Sequence, residues 1–149
     1  MPRLDGTRLE AWRELQSVVM ELTRGIDEDL RTEWAVPLGW FDVLAALRRL
    51  DGLARPQALA AELRIPPSSL SRRLDRIEEE GWIARHRRID PDDHRAVDIE
   101  LTPRGRTLWR EMNVTYRRAV QTRFASVLSD DHVAVVTDVI ELVAPPPAP

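Results

Sequence analysis

Two short helical patterns broken by a proline pair, with alternating strand patterns straight after them, constrain this chain more than any other feature. The first part runs ARPQALAAELRIPPSSLSRRLDRIEEEGWIARHRRI, residues 54–89. Pro56 suits the first turn of a helix, where an amide proton is not needed. Leu59, Ala60 and Leu63 then fall on one inward side. The pattern stops at residues 65–67, because Pro67 lacks an amide proton and Pro66 is held extended by the proline after it. Leu70, Leu74 and Ile77 resume the helical spacing, and Gly81 is a natural C-terminal cap. Two helices of this size around a tight turn predict a helix-turn-helix. WIARHRRI and AVDIELT follow as strands, with Val97, Ile99 and Leu101 on one face and Asp98 and Glu100 on the other. A hairpin directly behind a helix-turn-helix makes a winged helix. The expected fold is mainly α with a small two-stranded β-wing.

Long helices flank this unit. From Leu9, the residues Trp12, Leu15, Val19, Leu22 and Ile26 recur at steps of three and four, which gives one apolar seam. Nothing nearby in sequence covers so long a stripe, so another long helix or a partner chain must. Pro37 and Gly39 are expected to end this segment. GWFDVLAALRRLDG then reads as a buried helix from Trp40 to Leu50. Thr102 caps a later helix with Pro103 in its first turn and Leu108, Trp109, Met112, Tyr116 and Ala119 along it. A last helix begins at Ser129 and repeats Val133, Val136, Ile140 and Val143. The tail APPPAP is expected to be extended and unpacked.

Composition removes several functions. The chain has no cysteine, which excludes disulfide scaffolds, thiolate metal sites and thiol redox sensing. Its longest apolar runs are too short to span a bilayer and its N-terminus carries acidic residues, so no membrane association and a cytoplasmic location are expected. DPDDHR, residues 90–95, offers Asp90, Asp92, Asp93 and His94, but zinc needs four well-directed ligands, and the glycine and distal glutamate of a calcium loop are missing. No metal and no cofactor are expected there. His86, His94 and His132 stand in no nucleophile or general-base motif, so the chain is not expected to be an enzyme. DPDDHR is instead the tip of the hairpin.

The charge is informative by position. The formal net charge is -3, against a wholly electrostatic nucleic-acid binder. Yet with Leu70, Leu74 and Ile77 inward, Ser68, Ser69, Ser71, Arg72, Arg73 and Arg76 lie on or beside the outer face of the second helix. Short hydroxyls allow close approach to a groove floor, and arginine can bond guanine O6 and N7 together. Ser68 and Ser69 at the helix start could hold a phosphate. Arg87 and Arg88, within RHRR, would follow a DNA backbone from the first wing strand, while His94 and Arg95 sit at the tip. Arg95 is suited to a narrow minor groove. The competing readings are a solvated arginine face paired with Glu78, Glu79 and Glu80, and a winged helix that binds a protein rather than DNA. Residues 64–95 hold eight arginines against seven acids, which predicts weak non-specific binding.

LAAEL, SSLSRRLDRIEEEGWIAR and DPDDHRAVDIELTPRG together resemble the MarR family of bacterial transcription regulators. The likeness covers nearly the whole chain and is strongest from Leu59 to Gly105. It implies a homodimer with interlocked terminal helices (residues 1–36 and 103–144), a winged helix-turn-helix lobe (40–102), and a disordered tail (145–149). It implies double-stranded DNA as partner, with Ser69, Ser71 and Arg72 in the major groove and Arg95 in the minor groove of a palindromic site. Many members also bind a small aromatic or anionic effector, for which Trp12, Trp34, Trp40, Trp109 and Tyr116 are candidates. The chain departs from the family in having Arg64 where such turns usually have glycine, and Pro66 where a hydroxyl cap is common. The recognition helix is therefore expected to begin less rigidly or one residue late.

Overall fold

The structure, a computed structural model, describes residues 1–87, 89, 92 and 96–144. Helix α1 (Gly6–Trp34) starts at Asp5, whose carboxylate accepts from the amide of Arg8, and ends at Ala35 in a left-handed conformation. Helix α2 (Leu38–Arg49) begins two residues before the expected Trp40. Helix α1 ends just ahead of Pro37, as expected, whereas Gly39 ends nothing and lies in the first turn of α2. The reason is long-range: Asp27 of α1 accepts a hydrogen bond from the amide of Leu38 at 2.8 Å, doing the capping that Pro37 cannot. Burial opposes ionisation of Asp27, but that bond and Arg31 outweigh it and lower its pKa.

A turn at Asp51 and Gly52, both with positive φ, leads into strand β1 (Leu53–Ala54). Helix α3 (Pro56–Leu63) and helix α4 (Pro67–Glu79) form the helix-turn-helix, with Pro56 and Pro67 each opening a helix. Arg64 closes α3 in the left-handed region, at φ 53 and ψ 43. Pro66 is extended, yet α4 starts at Pro67, earlier than expected, because proline tolerates the first helical position. Gly81, at φ 78, turns the chain out of α4.

Strands β2 (Ile83–Arg87) and β3 (Val97–Leu101) pair antiparallel, from Ile83 opposite Leu101 to Arg87 opposite Val97. The sheet has three strands, not two: β1 adds to the outer edge of β3 in the order β1-β3-β2. Helix α5 (Pro103–Arg123) is capped by Thr102, and helix α6 (Asp130–Val143) by Ser129, both as the sequence requires. Gly105 has a packing reason: a Cβ there would collide with the carbonyl oxygen of Trp82.

One core fills the winged helix. Val43, Leu44 and Leu47 of α2 meet Leu59, Leu70, Leu74, Ile77, Ile83, Ile99 and Leu101, all buried. A second cluster joins the lobe to the long helices through Leu30, Val36, Phe41 and Met112. Trp34 donates to Thr115, which donates to Glu33, and Arg118 completes the link between α1 and α5. The outer seam stays open: Trp12, Leu15 and Val19 are each half exposed. No residue of α6 is buried. Among the described residues no helix is long and apolar enough to cross a membrane.

Candidate nucleic-acid interface

Helix α4 carries the candidate reading edge. Its apolar residues Leu70, Leu74 and Ile77 are locked into the core, which fixes the helix rotation. Ser68, Ser69, Ser71, Arg72 and Arg76 are thereby exposed. No described side chain pairs with Arg72, so its guanidinium is unengaged there. Among the described residues Arg76 makes a single, long contact, 3.4 Å, with exposed Glu79 one turn on. Such a surface pair contributes little and yields readily to a stronger anion. At the helix start the amides of Ser69 and Leu70 both point to the Pro66 carbonyl, and Pro67 has none. Ser68 is thus the first-turn amide left without a backbone acceptor among the described residues.

Arg73 takes another direction. It is half-buried, its Nη1 lies 3.4 Å from the carbonyl oxygen of Gly39, and its charge acts on Asp42 of α2. The sequence grouped it with the outer edge, where it occupies the flank; the structure turns it back toward α2. Asp42 is the missed partner. Burial raises its pKa, against the opposing pull of Arg73 and Arg49. A lone carboxylate inside the apolar run WFDVLAAL was the available signal.

On the wing, Arg87 is exposed at the end of β2. Arg85, two residues earlier, is not free: Nη2 reaches Asp75 at 2.7 Å and Nη1 reaches Glu78 at 2.8 Å. Burial opposes its charge, but these carboxylates outweigh that and raise its pKa. His86 pairs instead with Glu100 across the hairpin. The predicted contacts Arg88, His94 and Arg95 lie outside the described residues.

The aromatic candidates divide. Trp109 and Tyr116 line one cavity of about 320 Å³ between α2 and α5, together with Phe41, Asp42, Arg48 and Arg49. Phe41 and Tyr116 stack at 4.7 Å, and the guanidinium of Arg48 lies 5.7 Å from the Trp109 ring. The indole nitrogen of Trp109 is buried with no hydrogen-bond partner among the described residues. Trp40 packs edge-on to Trp82, Trp34 bonds Thr115, and Trp12 lies exposed on α1, so these three are not in that wall. The sequence did not single out Arg48 and Arg49, whose helical position is clear but whose opposing wall comes from α5.

The order helix, short strand, helix-turn-helix and antiparallel hairpin defines a winged helix-turn-helix protein. The sequence model of the MarR family matches residues 36–96. The regulator PecS of Dickeya dadantii is 33% identical over 107 residues, 70% of this chain and 62% of its own. The transcriptional repressor MdtR of Bacillus subtilis is 26% identical over 117 residues, covering 78% of this chain and 72% of its own. In three dimensions the chain is similar to Sco3205, a MarR family transcriptional regulator from Streptomyces coelicolor solved in complex with DNA. Its TM-score is 0.85 at 24% identity, covering 97% of this chain and 90% of that one. The chain is a winged-helix protein of the MarR family.

Proposed function

We propose that this chain is a sequence-specific double-stranded DNA-binding transcription regulator, a repressor that acts as a homodimer on a palindromic operator. One observation carries the reading: the core-locked helix α4 turns Ser68, Ser71 and Arg72, which has no partner among the described residues, outward together, with the wing attached just behind. The exposed seam of α1 and the unburied helix α6 supply the dimer contacts, so residues 1–36 and 103–144 serve assembly and 40–102 serves recognition. The duplex then meets two copies of α4, and its half-sites are related by two-fold symmetry. The cavity between α2 and α5 fits a small aromatic anion, with Trp109 and Tyr116 as faces and Arg48 and Arg49 as counter-charge. Such an effector would loosen operator binding.

A gel-shift series with DNA from the gene's own promoter region tests this. Saturable retardation that survives competitor DNA is expected. Arg72→Ala should weaken the cognate site by about 1–3 kcal/mol and relax its base preference. If Arg72→Ala and the parent give the same footprint, Arg72 does not read bases. If no fragment is retarded, the near balance of positive and negative charge points to a protein partner instead.

A further inference from the structure

We propose that Arg85 is a positioning residue for DNA recognition: its single positive charge, shared between Asp75 and Glu78 on the recognition helix, offsets part of their negative charge and so weakens their opposition to the duplex. The inference rests on the DNA-binding reading above. Residues three and four apart share a helix face, which puts Asp75 one turn on from Arg72 and Ser71, on the reading edge itself. Glu78 continues that row toward the wing. Two carboxylates there would repel phosphates at short range, where screening is least effective.

Arg85 answers both at once. Its two terminal nitrogens engage separate carboxylates at 2.7 and 2.8 Å, and its side chain is 28% exposed against 61% for Asp75. Charge-assisted bonds of this length hold a guanidinium in place. The same bonds join β2 to α4, so the helix and the wing keep one relative setting. Arg85 thus contributes to binding without touching DNA. It also explains how a reading edge that contains an acid can face a polyanion.

The test uses the full chain and a duplex that the parent retards, across a salt series, with circular dichroism and melting to confirm folding. Arg85→Gln should bind about tenfold more weakly or worse at low salt, since the one cation that offsets the two carboxylates is lost. Arg85→Lys should recover part of the loss. The triple variant Arg85→Gln, Asp75→Asn, Glu78→Gln should return to within about threefold of the parent, because charge rather than contact is at issue. Asp75→Asn with Glu78→Gln should bind more tightly than the parent, with a log–log salt slope steeper by about one as Arg85 becomes free for a phosphate. The proposal is overturned if Arg85→Gln binds like the parent. It is equally overturned if the folded triple variant stays as weak as Arg85→Gln, or if the double acid variant loses affinity. Should Arg85→Gln fail to fold, the double acid variant decides alone. If the parent retards no duplex, the regulator reading fails first and takes this inference with it.

Discussion

The winged-helix lobe and the terminal helices spend their apolar residues differently. In the lobe, α2, α3, α4 and the sheet turn Leu44, Leu47, Leu59, Leu74, Ile77 and Ile99 onto one another, and none of these is more than 2% exposed. In α1, a 29-residue helix, only Leu30 is buried, and α6 buries nothing. An isolated helix is marginal in water and owes its stability to packing of its apolar face. The lobe therefore carries the information for its own shape, whereas the ends leave apolar side chains uncovered within the single chain. That division suits the proposed regulator, in which the ends hold two rigid lobes at a spacing that DNA can match.

The sharpest way to break the comparison is to delete one side chain from each region. Leu47→Ala should cost about 2–5 kcal/mol, as expected for a fully buried leucine, and should lower the melting temperature at every protein concentration. Leu15→Ala with Val19→Ala should cost less, and the loss should grow with protein concentration in the range where the parent is dimeric. Melts at two concentrations, with sedimentation of both variants, separate these behaviours. A seam variant indistinguishable from the parent throughout would mean that α1 is not the dimer surface.

What could be read from the sequence follows the same division. Positions whose partners are near in the chain were legible: Pro56 and Thr102 at helix starts, Leu70, Leu74 and Ile77 inward, Gly81 at the turn. Arg64 was flagged as a glycine position, and its backbone is left-handed. Strand β1 was missed because two residues carry no alternation; the edge of β3 makes it a strand. The start of α2 was missed because its cap, Asp27, lies eleven residues back on another helix. In the candidate site, exposure of the serines was legible from helical spacing. The directions of Arg73 and Arg85 were not, since a long arginine on a flank goes to whichever acceptor the tertiary fold brings near, the Gly39 carbonyl in one case and two carboxylates in the other.

Asp42 offers a smaller test at the junction between the regions. A carboxylate whose pKa is raised by burial destabilises the fold wherever it must be ionised. The sign is therefore opposite to that of a salt-bridged acid. The penalty is full above the raised folded value, shrinks as pH falls through it, and is gone below the ordinary carboxylate value. Asp42→Asn should melt higher than the parent near neutral pH, with the advantage vanishing on acidification through that window. A variant that melts lower at neutral pH would show that Arg73 and Arg49 stabilise the carboxylate more than burial penalises it.

The smallest expected effect comes from placing glycine at two left-handed positions, one in each region. Arg64, after α3, has φ 53, and Ala35, after α1, has φ 54. A side chain in this conformation costs on the order of 1 kcal/mol or more, which glycine would relieve. Against that, glycine gives the unfolded chain more freedom, worth about 0.4–1 kcal/mol. Arg64 is exposed, so its removal opens no cavity. Arg64→Gly should therefore be neutral or stabilising by a few tenths of a kcal/mol. Ala35→Gly should match it, because a methyl group adds little beyond its strain. The backbone amides of both residues close their helices, on Ala60 and Ala61 in one case and Arg31 in the other, and glycine keeps those bonds. Equal small shifts in thermal melts would mean that both turns are set by backbone geometry alone. A clear loss at Arg64 but not at Ala35 would mean that the arginine side chain itself braces the turn leading into α4.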